Sequence, residues 1–139
     1  MRADAGWLLC LAGAAALVAA DGELPDAVRA YHEGRYATAR ALLRDAARDG
    51  SERAQIGIGW LHQQGLGGDR DPQEALRWYR RAAESGSPEA QYQVGLMHEL
   101  GIGVEADPWE AETWYGRAIE QGYCPGELAG PEQVLEFGR

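Results

Sequence analysis

His32, His62 and His98, Cys10 and Cys124, and the run Gly65-Leu66-Gly67-Gly68 are the residues of this 139-residue chain with obvious chemistry to offer. Imidazoles at 62 and 98 invite a shared metal ion. The glycine run invites a phosphate, but it lacks the Lys-Ser or Lys-Thr that completes a phosphate-binding loop and follows no strand. Ser51, Ser85 and Ser87 fall in turns and form no ordered set with a histidine and an acid. The abundant carboxylates suit the solvated faces and first turns of helices, where negative charge is mildly favourable. No catalytic residue, cofactor site or metal site is therefore assigned, and a hydrolytic enzyme is the minor alternative.

The elements that hold these residues explain most of them. GWLHQQGLGGDRDPQEALRWYRRAAESG is followed by GLMHELGIGVEADPWEAETWYGRAIEQG. Ala54, Gly59, His62, Gly65, Gly67, Asp71, Pro72, Glu74, Ala75, Trp78, Tyr79, Arg81, Ala82, Glu84 and Gly86 recur 36 positions later as Ala90, Gly95, His98, Gly101, Gly103, Asp107, Pro108, Glu110, Ala111, Trp114, Tyr115, Arg117, Ala118, Glu120 and Gly122. A period of this length signals a stacked pair of helices. Ala54, Ile58 and Leu61 form one helical stripe that Ala90, Val94 and Met97 repeat; Ala75, Tyr79 and Ala82 form a second that Ala111, Tyr115 and Ala118 repeat. Asp71-Pro72 and Asp107-Pro108 predict an N-cap followed by proline at the first helical position. The glycines predict helix ends and turns. Equivalent positions on adjacent units lie about 10 Å apart, so His62 and His98 cannot close on one zinc at about 2.1 Å. They read instead as polar residues partly facing a groove.

A shorter unit precedes these two. Its first helix runs from Leu24-Pro25 to Tyr31, its second from Tyr36 to Arg48, and Leu42-Leu43 stand where Trp78-Tyr79 stand. The sequence divides into a leader (1–20), a degenerate first repeat (21–50), two full repeats (51–86 and 87–122) and a C-terminal capping segment (123–139), in which Glu132 to Phe137 predicts a short helix.

The pattern AxxxxGxxxxxGxGxxxDxxxAxxWYxxAAxxG from Ala54 onward resembles the SEL-one-like repeat, an α-solenoid relative of the tetratricopeptide repeat. Gly68, where the second copy has Val104, and Gly116, which would interrupt a helix where Arg80 does not, are its departures. The resemblance implies an all-α fold, a short right-handed solenoid of antiparallel helix pairs, with Gly59, Gly65, Gly67, Ala75, Trp78, Tyr79, Ala82, Gly95, Gly101, Gly103, Ala111, Trp114, Tyr115 and Ala118 as structural repeat positions. It also implies action by binding another protein, without a shared catalytic residue.

Charge and targeting narrow the setting. Thirteen basic residues against 22 acidic ones give a net charge of −9, which disfavours nucleic acid and favours a basic partner; an effector enzyme is a further candidate. The apolar run from Gly6 to Ala20, ending in Val18-Ala19-Ala20, reads as a secretory signal cleaved before Asp21. Cleavage removes Asp4 and Arg2 together, leaves the charge unchanged and leaves Cys124 without a disulfide partner. No membrane insertion is then expected, and the mature chain belongs to the periplasm or the secreted fraction. The first helices should line the concave side through Gln55, Gln63, Gln64, Gln91, Gln93 and Glu99. Trp60, as a partly exposed aromatic, with Gln64, Glu99 and Trp109, makes the expected protein-binding surface. Two roles stay open: an adaptor or regulator, in its sharper form an immunity-type inhibitor of a secreted enzyme, or a structural scaffold of an envelope assembly.

Overall fold

The computed structural model describes residues 24–123, so the leader, its cleavage site and the expected helix at 132–137 lie outside the described residues. Among the described residues six helices follow one another: α1 (Pro25–His32), α2 (Tyr36–Arg48), α3 (Glu52–Gln64), α4 (Pro72–Glu84), α5 (Pro88–Leu100) and α6 (Pro108–Glu120). Each packs on the next in the chain, which makes an all-α solenoid of helix hairpins.

Local chemistry sets the ends. Asp71 accepts from the Glu74 amide, and Asp107 from the amides of Trp109 and Glu110, with Pro72 and Pro108 at the first helical positions. Ser51 and Ser87, read from the sequence only as turn residues, cap α3 and α5 by accepting from the amides of Ala54 and Ala90. Those helices end on Gly65 and Gly101, both left-handed at φ 71° and 67°. Gly116 does not interrupt α6, which is continuous from Pro108 to Glu120.

Two apolar clusters form the core. One joins α1, α2 and α3 through Ala27, Ala30, Ala39, Leu43, Ala47, Ala54, Ile58, Trp60 and Leu61. The other joins α4, α5 and α6 through Ala75, Tyr79, Ala82, Ala83, Ala90, Val94, Met97 and Trp114, with Ile56 of α3. The aromatic pair is divided between tasks. Tyr79 is completely buried, whereas Trp78 is half-buried against the first cluster with the Arg81 guanidinium over its ring at 5.7 Å. Leu43 and Leu42 repeat the same inward and outward assignment in the first unit.

Small residues let the hairpins close. A Cβ on Gly59 would lie 3.0 Å from the Tyr79 ring, and one on Gly95 2.7 Å from the Tyr115 ring. The glycine loops have a packing task of their own. A Cβ on Gly67 would meet the Tyr36 carbonyl oxygen at 2.5 Å, and one on Gly103 the Pro72 carbonyl oxygen at 2.5 Å. Each loop therefore rests on the first turn of the preceding hairpin's second helix, which accounts for the glycine run without a phosphate.

Candidate functional site

The polar residues expected along a groove are mostly part of the repeat junctions. Gln55 and Gln91 are buried, and their Nε2 atoms each donate over 3.1 Å to the carbonyl oxygens of Ala47 and Ala83 at the ends of α2 and α4. They tie one hairpin to the next by adding a second hydrogen bond to carbonyls that already accept from the Gly50 and Gly86 amides. Gln93 is buried as well. Gln63 accepts from the Tyr79 hydroxyl at 3.1 Å.

His62 and His98 are buried rather than groove-facing. His98 Nε2 lies 3.1 Å from the Arg80 guanidinium, a group that only donates, so Nε2 is the acceptor. Neither ring nitrogen of His62 has a partner among the described residues. Burial, with Arg40 and Arg44 nearby, holds its pKa below the usual imidazole range against the opposite pull of Glu74 and Asp71. Among the described residues, no group of three or more His, Cys, Asp or Glu side chains is placed to hold a metal ion, and no helix is long and apolar enough to cross a membrane.

Trp60 corrects a specific expectation. It is only 8% exposed and belongs to the core around Ile58 and Leu61, so it cannot act as a partly exposed anchor without the protein opening. Gln64 is exposed at the end of α3. Glu99 and Trp109 instead lie on the last described hairpin, and Trp109 is 79% exposed. The Asp107 cap fixes its backbone, since Asp107 Oδ1 accepts from the Trp109 amide at 3.0 Å.

The same hairpin carries an open groove of about 410 Å³, lined by Glu99, Pro108, Ala111, Glu112, Tyr115, Gly116 and Ile119. The Tyr115 hydroxyl donates to Glu99 over 2.5 Å, a short bond of the kind a charged acceptor makes. Burial and that carboxylate raise the Tyr115 pKa, so the phenol stays protonated. Tyr92 stacks on Tyr115 at 5.2 Å and on Tyr123 at 5.7 Å. Arg117 is turned the other way, 4.6 Å over Trp114. The groove thus has an apolar floor and two carboxylates at its edge.

The repeat explains why this groove exists. Its lining residues match Gln63, Pro72, Ala75, Leu76, Tyr79, Arg80 and Ala83 one unit earlier. There α5 covers the face, and Ala75, Tyr79 and Ala83 are buried. At the last hairpin no described helix takes that place, and Ile119 is 58% exposed. Sequence reasoning missed Glu112, Gly116 and Ile119. The signal was available in the differences between the two copies, rather than in their shared residues.

These observations define a helix-hairpin solenoid in which the face of α6, covered by no described helix, is the most distinctive surface of the described residues. The Sel1 repeat model matches residues 52–87 and 88–123, just over half of the chain, and the chain belongs to the Sel1-repeat family. Among solved structures it is similar to a Sel1 repeat protein from Oxalobacter formigenes, with 38% identity and a TM-score of 0.62 over 63% of this chain and 25% of that one. It is also similar to c5321, a protective antigen present in uropathogenic Escherichia coli strains that displays an SLR fold, with 36% identity and a TM-score of 0.62 over 63% of this chain and 19% of that one. The matched part thus spans only a quarter and a fifth of these bacterial relatives. No curated protein matches the chain. Repeats of this class serve protein–protein interaction, and this chain shares their architecture.

Proposed function

We propose that this chain is a periplasmic adaptor or regulator that holds a partner protein against the exposed face of its last described hairpin, with Trp109 as the anchor. One observation carries the reading. A tryptophan stands 79% exposed in the first turn of a capped helix that also lines a groove with an apolar floor, and large exposed aromatics ringed by polar groups are where binding energy concentrates. The net charge of −9 and the carboxylates of Glu99 and Glu112 favour a partner with a basic face.

Affinity capture from periplasm, followed by Trp109→Ala, tests this. The variant should lose the captured protein, by about 2 kcal/mol or more in affinity, while keeping its circular dichroism and melting temperature. A partner retained at full affinity by Trp109→Ala would refute the placement. Capture of a secreted hydrolase whose activity the chain blocks would specify the inhibitor role, and capture of a structural envelope component the scaffold role. Localisation rests on the leader alone. The mature protein recovered from a bacterial periplasm should begin at Asp21, and an intact mass that includes Met1 would refute the signal.

A further inference from the structure

The junction of α4 with α5 shows what the equivalent, exposed face of α6 is shaped to receive. On α4, the first helix of the next hairpin is seated through Val94 and its neighbours, with the Gln91 amide on the Ala83 carbonyl and His98 against Arg80. The counterparts on α6 are altered at particular places. Glu112 stands where Leu76 packs into the core, Gly116 where Arg80 meets His98, and Ile119 where Ala83 is buried. A Cβ on Gly116 would meet nothing within 4 Å. The Ile119 carbonyl accepts from the Gly122 amide, as the Ala83 carbonyl does from the Gly86 amide, and a second lone pair is left for an incoming amide.

We infer that the end face of α6 seats one amphipathic helix of the partner protein, in the place that α5 takes on α4, with a basic side chain passing over Gly116 toward Glu112. This deepens the binding role proposed above and rests on it. The position on an incoming helix equivalent to His98 lies opposite Gly116 rather than opposite an arginine. There is room at that point for a long side chain. Glu112 lies one helical turn back on α6, and Glu99 is at the same edge, so the end of that side chain should be cationic. Arg117, held over Trp114, does not neutralise them from this side.

Charge and sequence weigh against the other occupants. A second copy docked end to end would bring Glu99 and Glu112 against their own equivalents. Docked by its other end it would offer α1, whose outer residues Asp26, Arg29, His32 and Glu33 are exposed and carry no aliphatic ridge. The chain's own residues 124–139 contain Glu127, Glu132 and Glu136 against a single base at the last residue, Arg139.

The test uses the full chain and two stapled helical peptides with the sequence of residues 87–101, one carrying His98→Arg and one His98→Glu. By fluorescence anisotropy the His98→Arg peptide should bind about five- to tenfold more tightly. Glu112→Lys in the protein should reverse that order, and Gly116→Trp should abolish binding of both peptides without changing helicity. Equal affinities, or an order indifferent to Glu112→Lys, would overturn the inference. Binding seen only after deletion of residues 124–139 would assign the face to the chain's own tail and overturn it too. A captured partner that needs Trp109 yet binds Gly116→Trp normally would end the helix-seating model and leave the adaptor role intact. Indifference to both changes would end the adaptor placement itself.

Discussion

Glycine to alanine at two positions of the second full repeat should have opposite effects on stability. Gly95 and Gly116 both lie inside thirteen-residue helices, α5 and α6. Alanine at either gains the same helical preference, about 1 kcal/mol. What differs is the space around the new methyl group. At residue 116 it meets nothing within 4 Å, so the gain should appear nearly whole. At residue 95 it would lie 2.7 Å from two carbons of the Tyr115 ring and 3.2 Å from the Ala111 carbonyl oxygen. The ring is tied to Glu99 and stacked on Tyr92, so α5 and α6 must move apart by several tenths of an ångström. Overpacking of this kind costs about 1–3 kcal/mol, leaving Gly95→Ala about 1 kcal/mol less stable than the parent. The two variants should differ by about 2 kcal/mol, or roughly 8–16 °C in melting temperature for a domain of this size. Urea titration followed by circular dichroism, with a common slope, measures both. If Gly95→Ala stabilises as much as Gly116→Ala, close approach of α5 and α6 is not what requires glycine at 95.

Two further outcomes follow from burial and charge. Trp114 is only 6% exposed in the second core cluster, so Trp114→Ala should cost about 3–5 kcal/mol; half-buried Trp78 should cost clearly less in the same denaturant assay, and equal losses would contradict the outward assignment of Trp78. His62 has a lowered pKa in the folded state, so the unfolded chain takes up its proton first as pH falls, and folded stability declines from about pH 6.5 down through the folded value. His62→Gln should remove that part of the acid-side loss, and parallel stability–pH curves for the two proteins would refute it.

The helix pairs were legible because three independent signals coincide: apolar spacing, the Asp-Pro steps and the glycine ends. The N-cap and first-turn positions at Asp71-Pro72 and Asp107-Pro108 agree with the structure residue for residue. Facing was much less legible, and α3 shows why. Its residues from Ala54 to His62 are all buried, because the helix is packed by α2 on one side and α4 on the other. Such an element has no wide polar face for a periodic pattern to reveal. Its glutamines and histidine read as groove residues, yet Gln55 is spent on the Ala47 carbonyl at the end of α2. The Trp-Tyr pair posed a related ambiguity. Adjacent residues are about 100° apart on a helix, and only the position of the neighbouring Gly59 decides that Tyr79 turns inward.

Comparison of the two copies carries the functional argument further than their agreement does. A solenoid end that only needs to be soluble should replace buried residues by polar ones, since capping surfaces face water. Glu112, in place of Leu76, follows that expectation. Trp109 stands where Gln73 stood, however, and Ile119 where Ala83 was buried. Both increase exposed apolar area on a face that no described helix covers. Solvation alone favours neither change, because each leaves unburied area that would stabilise at about 25 cal/mol per Å² once covered. An acid at the edge, a glycine leaving room beside it, and two enlarged apolar residues form a combination suited to a second protein surface rather than to water. That is the physical reason to look for the partner at α6 and not along the buried face of α3.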